Sequence, residues 1–419
     1  MPGRGALRKG EDKEMSRLSS RSRALWALVG VLVLVTTAVG AALAASPLDD
    51  AFAYVDSQKE AILQDWLALI RIPAPSRQED ERAAWVKARM QEIGLVDIGS
   101  DDAGNVWGAY PVPSSGPILV FAAHMDTVFS KDTPINPEVK EGKIFAPGSG
   151  DNTSSVVGLL YTAKAIKAAG IVPKCRVIFL ATVEEEIGLN GMRYFLENSG
   201  MTPDYVVAVD GGFGGVTYGA LGIEWYKATL KVPGGHTLSS TGKPSGARSL
   251  AAAISKLYEI PLNADPRCYM NVGTLGGGTV PNAIAAETWF TVDMRSQSAT
   301  ELAKLRDQVH AAIKDQAKAT GAEVSLEPLT IIPAGLLPGA KDHKLTRVAA
   351  EALKAVGVAE PGFSDAGACD SNASIAKGIY SVAVGVTKSQ NGHSVNECSE
   401  IEPIYAGIKQ LVYIASTMD

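Results

Sequence analysis

The sequence predicts an α/β protein, a mainly parallel sheet flanked by helices with an inserted α+β segment, and three observations carry that reading. Short apolar runs recur along the chain, and several of them end where a histidine or a carboxylate begins. Segments with helical spacing lie between them, giving the strand, helix, strand order of parallel sheets. From about Gly222 the texture changes to alternating polar and apolar residues, as in half-exposed antiparallel strands.

Taken in order, residues 57–70 carry Ala61, Ile62, Trp66, Leu67 and Ile70 near helical spacing, and Pro73 and Pro75 end the helix. Residues 118–123 form a continuous apolar run, expected of a strand buried on both faces, that leads directly into His124. Residues 153–169 read as a helix. Two further runs behave alike: 177–183 meets Glu184, Glu185 and Glu186, and 205–209 meets Asp210. A third, 380–386, precedes a loop carrying His393. In the insertion, 225–232 and 285–293 alternate as strands, with helices near 247–259 and 299–320. The Pro- and Gly-rich stretch 333–339 is the expected return hinge. The expected organisation is a catalytic domain in two parts, 45–221 and 334–419, interrupted by an insertion over 222–333, a plausible domain size.

Residues 1–44 stand apart. Seven basic residues precede an uncharged stretch, 24–44, that ends Ala42-Leu43-Ala44, and this reads as an export signal whose removal leaves Ala45 or a neighbour first. Met15 would give a shorter basic region as the true start. The other reading is a retained membrane anchor, since 21 apolar residues can span a bilayer. Both readings put the protein outside the cytoplasm, in a periplasmic or extracellular setting. Loss of the segment moves the formal net charge from −6 to −10, so nucleic acid is not an expected partner. The four cysteines form no Cys-x-x-Cys pair, which excludes a zinc finger. In an exported protein Cys369 and Cys398 could pair; four buried thiols are the equal alternative.

The strand ends collect His124, Asp126, Asp151, Glu185, Glu186, Asp210 and His393. Imidazole and carboxylate suit zinc and similar divalent ions, and in open α/β sheets ligands gather beyond the carboxyl ends of strands. Asp126, two positions after His124, could accept the other ring N–H and fix the tautomer. Asp151, between a glycine turn and a helix start, could be a helix cap, a bridge between two metals, or both. Three adjacent glutamates would repel unless a cation neutralises some of them, and two can divide the labour between metal and general base. Asn152 and Asn372 head glycosylation sequons, read as coincidence beside site residues.

His124-Met-Asp-Thr127, Gly150-Asp151, Glu184-Glu-Glu-Ile-Gly188, Val209-Asp-Gly-Gly212 and His393-Ser-Val-Asn-Glu397 together resemble the ordered motif set of the dinuclear zinc exopeptidases that include peptidase T, carboxypeptidase G and aminoacylase. The resemblance covers nearly the whole chain after residue 44. It implies a zinc-exopeptidase catalytic domain whose insertion is a lid that often makes the dimer interface. It further implies that His124 and Asp210 hold one metal, Glu186 and His393 the other, and Asp151 both, with Glu185 as general base and Asp126 orienting His124. The stretch Gly234-Gly-His236 resembles the lid histidine that reaches a partner's site and polarises the scissile carbonyl. Arg295 matches an arginine that binds a substrate carboxylate, and Asn282 a lid contact residue; a surface salt bridge and a turn after Pro281 are the structural alternatives. His310 and His343 match no motif and read as solvent-facing helix positions.

The implied cofactors are two divalent ions, zinc, with cobalt or manganese as alternatives. The implied partners are a short peptide substrate and a second copy through the lid, with a membrane only if residues 1–44 are retained. Aspartate at position 210 goes with aminopeptidases and dipeptidases in that family, which favours a peptidase T-like aminopeptidase. An exported carboxypeptidase or N-acyl-amino-acid hydrolase is the runner-up, and a catalytically silent peptide-binding protein is the third reading. Two departures, Asn152-Thr153 after the bridging aspartate and Cys369-Asp-Ser-Asn372 for a threonine-led loop, bear on pocket shape.

Overall fold

The computed structural model describes residues 46–111 and 116–419, so the expected export signal lies outside the described residues. Ser46 and Asp49 exchange hydrogen bonds at the start of the helix Pro47–Ser57. From Ala51 onward the chain forms one compact unit. No helix among the described residues is long and apolar enough to cross a membrane.

Along the chain come α1 (Lys59–Ile70), α2 (Asp80–Ile93), β1 (Val96–Ser100), β2 (Val106–Ala109), β3 (Ile118–His124), α3 (Ser155–Ala168), β4 (Arg176–Thr182), α4 (Asn190–Asn198), β5 (Tyr205–Val209) and β6 (Gly215–Thr217). Then follow β7 (Gly222–Lys231), α5 (Gly246–Leu257), β8 (Cys268–Gly277), β9 (Glu287–Ser296), α6 (Ala299–Thr320) and β10 (Glu323–Ile332). The chain returns with α7 (Lys344–Ala355), β11 (Gly362–Ser364), α8 (Ser371–Ala376), β12 (Tyr380–Val384) and α9 (Glu402–Thr417).

The large sheet has the order β1-β2-β4-β3-β5-β12-β6-β11. Its centre, β4, β3, β5 and β12, is parallel, so His124, the glutamate triplet and Asp210 emerge at one edge. Strand β3 is buried along nearly its whole length, as expected for a strand covered on both faces. The path moves from β3 to β4 on one side and then to β5 on the other, and that reversal opens the crevice in which α/β sheets bind ligands.

The second sheet, β8-β9-β7-β10, is antiparallel throughout. Strand β9 alternates strictly, with Thr288, Phe290, Val292, Met294 and Ser296 turned inward. Helix α6 covers them with Leu302, Leu305, Val309 and Ile313, spaced near 3.6 residues. Each of those large side chains contributes roughly 1.5–3 kcal/mol by leaving water, which is enough to give this sheet a core of its own.

The structure alters several expectations. The helix expected over 153–169 begins only at Ser155, because Ser149–Ser154 form a wide turn in which Asp151 and Asn152 leave helical geometry. The four cysteines are buried free thiols, and Cys369 faces the Ser371 hydroxyl at 3.1 Å, so the Cys369–Cys398 pairing does not form. Asn152 and Asn372 are buried and donate to the Val209, Leu221 and Pro333 carbonyls, so neither sequon is open to a glycan. His310 and His343 are not solvent-facing. His310 packs edge-on against Tyr226, and His343 stacks on Tyr380 while its Nδ1 accepts from the Leu345 N–H, capping α7.

Candidate active site

The glutamate triplet shows how one loop gives three like charges different surroundings. Glu184 takes a left-handed backbone conformation (φ 52°) and turns its carboxylate to Asn190 and Arg77. Glu185 goes inward and is buried, with Oε2 3.9 Å from His124 Nε2. Glu186 points to His393, whose Nε2 lies 3.1 Å from its Oε2.

Asp151 stands between the two histidines. Its Oδ1 is 3.2 Å from His124 Nε2 and its Oδ2 is 3.1 Å from His393 Nε2. Asp210 Oδ2 faces His124 Nε2 at 3.8 Å. The carboxylate of Asp151 makes no capping bond, so the helix-cap reading is not realised. Its peptide bond to Asn152 is cis.

Asp126 does more than orient one ring. Oδ1 lies 3.3 Å from His124 Nδ1 and accepts from the Glu185 N–H at 3.0 Å. Oδ2 accepts from the Ser76 hydroxyl at 2.6 Å and from the Glu186 N–H at 3.2 Å. With Nδ1 turned to Asp126, the Nε2 of His124 is left facing the carboxylates. In Asp126→Asn, whichever oxygen becomes an amine meets at least one backbone N–H, two donors face to face. Metal affinity and turnover should each fall about 10- to 100-fold, as when groups supporting a ligand are removed. Metal titration and steady-state rates check this, and wild-type values in both would refute it.

A buried layer lies behind the loop. Glu79 accepts from the Glu184 N–H at 3.0 Å, and Arg82 donates to the Ile72 and Met125 carbonyls, each at 2.8 Å. Burial pulls the Arg82 guanidinium down to about 10 even though Asp126 and Glu79 oppose it. The sequence reading missed Ser76 and Glu79, which precede α2, and Arg82 in its first turn, since a polar stretch with scattered charges carries no sign of burial.

Crowded charges shift the titration of the whole cluster. Burial opposes protonation of His124, yet Glu185, Asp126 and Asp151 hold it well above its ordinary value. Burial raises Glu185, and Asp210, Asp370 and Glu186 add to the effect against the pull of His124. Burial lifts Asp210 to about 7, with Asp151 and Asp370 reinforcing it against His124. Hydrogen bonds to Asp151 and Glu186 raise His393 to about 10. Asp370, another residue that the motifs did not single out, accepts from the Thr182 hydroxyl at 2.6 Å and is lifted to about 6, chiefly by burial.

The donor set fits divalent metal. Ligating atoms of His124, Glu185 and Asp210, and of His124, Asp151 and Glu186, lie within 4.8 Å of one another in each group. Oε1 of Glu186 and Oδ1 of Asp370 are buried without a hydrogen-bond partner, a costly state for a carboxylate that a cation would relieve. Carboxylate with imidazole suits zinc, cobalt or manganese.

The three residues matched to the lid are not part of this cluster. His236 is exposed on a two-residue ladder with Ala283, and the Thr237 N–H donates to the Asn282 carbonyl. Arg295 is tied to Asp293, with Nε 3.1 Å from both carboxylate oxygens, so the ion pair weighed as its structural alternative is present. It lines a cleft of about 620 Å³ with Arg267, Tyr269 and Gln297.

Residues 120–417 match the model of peptidase family M20/M25/M40. Carboxypeptidase G2 of Pseudomonas sp. (strain RS-16) is 25% identical over 279 residues, 63% of this chain and 66% of that protein, just under two thirds of its length. The fold is similar to aminopeptidase PepT from Bacillus cereus ATCC 10987, with a TM-score of 0.72 and 22% identity, covering 85% of this chain and 98% of that one. A tripeptidase from Staphylococcus aureus superposes with a TM-score of 0.74 at 23% identity over the same shares.

Proposed function

The chain belongs to peptidase family M20/M25/M40, and from that premise we propose that it is an exported aminopeptidase of short peptides built on a two-metal centre. One observation carries the two-metal reading: the carboxylate of Asp151 turns one oxygen to His124 and the other to His393. His124 and Asp210 would hold one ion, Glu186 and His393 the other, and Asp151 both. Zinc is the proposed metal. When bound, the pair would polarise the scissile carbonyl and acidify the attacking water.

The remaining work falls to side chains. Glu185, buried beside His124, takes the proton of the attacking water and returns it to the leaving amine. Asp126 keeps the Nε2 of His124 turned toward the centre. His236, exposed and outside the cluster, is the proposed oxyanion donor, contributed by the lid of a second copy. The basic and then apolar start of the chain, closing on Ala42-Leu43-Ala44, supports export.

Asp210 supports cleavage at a free amino end, and two solved structures of this fold are described as an aminopeptidase and a tripeptidase. The cleft holding Arg267 and Arg295 favours a second reading, recognition of a substrate carboxylate by a carboxypeptidase or an N-acyl-amino-acid hydrolase. Metal-loaded mature protein should be offered matched short peptides with free and with acylated amino ends. Cleavage of the free series, with release of the first residue, is the expected result; cleavage confined to the blocked series would replace the aminopeptidase reading with the second one.

A further inference from the structure

Glu397 closes the motif that carries His393, and none of the roles above uses it. It is 1% exposed, and its carboxylate accepts three backbone N–H groups. Oε2 accepts from Gly148 at 2.7 Å, while Oε1 accepts from Gly150 at 2.7 Å and from Asp151 at 3.0 Å. Its own carbonyl accepts from the Ala146 N–H at 3.1 Å, so a single residue holds the chain from Ala146 to Asp151, the approach to and the first part of the turn.

The surroundings leave that turn little freedom. Ser149 and Ser399 hydroxyls meet at 2.8 Å, and a side chain on Gly150 would lie 1.9 Å from the Ser389 hydroxyl. The buried indole of Trp66 donates to the Ser149 carbonyl at 2.7 Å. His393, by contrast, is 56% exposed and sits in a left-handed conformation (φ 61°) on a loop whose far end is Glu397. Burial, reinforced by the charge of Asp151, holds the Glu397 carboxyl above its ordinary value against the three amides that draw it down.

We propose that Glu397 is a positioning residue that locks the Asp151 turn to the His393 loop, setting the two halves of the metal centre at one spacing. Hydrogen bonds to a charged acceptor are roughly twice as strong as neutral ones, and three of them on one buried carboxylate fix the backbone just before and at the start of the wide turn Ser149–Ser154. The consequence is specific to the metals. Asp151 faces both histidines, so loosening its turn weakens both binding steps, whereas loss of one ligand weakens mainly one. This inference rests on the two-metal reading.

The experiment compares the full mature chain with Glu397→Gln and Glu397→Asp. Glutamine puts an amine against at least one of the three N–H groups, and aspartate keeps the charge but is one methylene short. Zinc is titrated against a competing chelator to resolve both binding steps, and amide hydrogen exchange of Gly148, Gly150 and Asp151 is followed in the apo proteins. Both zinc steps should weaken about 10- to 100-fold in Glu397→Gln. The three amides should be protected in the wild type like those of β3 and should lose that protection in the variant.

Wild-type zinc affinity in a folded Glu397→Gln, or rapid exchange of the three amides in the wild type, overturns the proposal. Should Glu397→Gln not fold, Glu397→Asp and the wild-type exchange pattern decide it. If the wild type takes up no zinc, the two-metal reading fails, and the exchange data judge the clamp separately.

Discussion

Glu185→Gln should lower kcat on a free-amino tripeptide by about 10²–10⁴-fold while two metals per chain are retained, the loss expected when a general base is removed. Two assignments compete for this carboxylate, because it lies near enough to His124 and Asp210 to complete a set of ligands. A ligand replaced by an amide loses metal as well as rate. A base loses rate alone, since glutamine fills the same space without accepting the proton. Metal analysis beside steady-state kinetics separates the two. Full activity in Glu185→Gln would remove the base assignment, and loss of one metal would reassign the residue as a ligand.

Stripping the metals should abolish turnover and lower the unfolding temperature by several degrees, both restored by zinc. Ions that bind the folded chain alone stabilise it, by about 4 kcal/mol when free metal stands at 1,000 times its Kd. The gap between apo and metal-loaded protein should also depend on pH, and its sign follows from the buried acids. Burial, reinforced by neighbouring carboxylates, raises Asp210 to about 7 and Asp370 to about 6, well above their unfolded values. Their contribution to the apo fold is therefore complete below pH 4 and lost as pH rises through 6 to 7. Unfolding curves of both forms from pH 5 to 8 should diverge toward the alkaline end. Parallel curves, or an apo form as stable as the loaded one, would show that Asp210 and the acids around it do not form the metal site.

Residue types at strand ends were legible in the one-dimensional chain because burial on both faces forces an unbroken apolar run, and the first polar residue after it must lie at the sheet edge. His124, the glutamate triplet and Asp210 were all found that way. Asp151, between a glycine turn and a helix start, and His393, in the loop after the apolar run 380–386, were marked by residue type and turn chemistry rather than by closing a strand. Other residues stayed hidden. The burial of Arg82 and Glu79 depends on contacts with distant segments, Arg82 with the Ile72 and Met125 carbonyls and Glu79 with the Glu184 N–H, and a charged residue at a helix start otherwise reads as solvated. His343 was misread for the same reason, since the stack on Tyr380 joins residues far apart in the chain.

Chain order alone was enough for the α/β architecture, the antiparallel insertion and the kind of chemistry at the strand ends, because hydrophobic period and turn residues are local properties. Tertiary structure decided which glutamate faces inward, that Asp151 lies between two histidines, and that Asp126 and Glu397 hold backbone amides as well as ring or loop. Those outcomes depend on distances between segments up to about 250 residues apart in the chain. A hydrogen bond is made or lost within a few tenths of an ångström, so only the packed sheet, helices and loops could specify them.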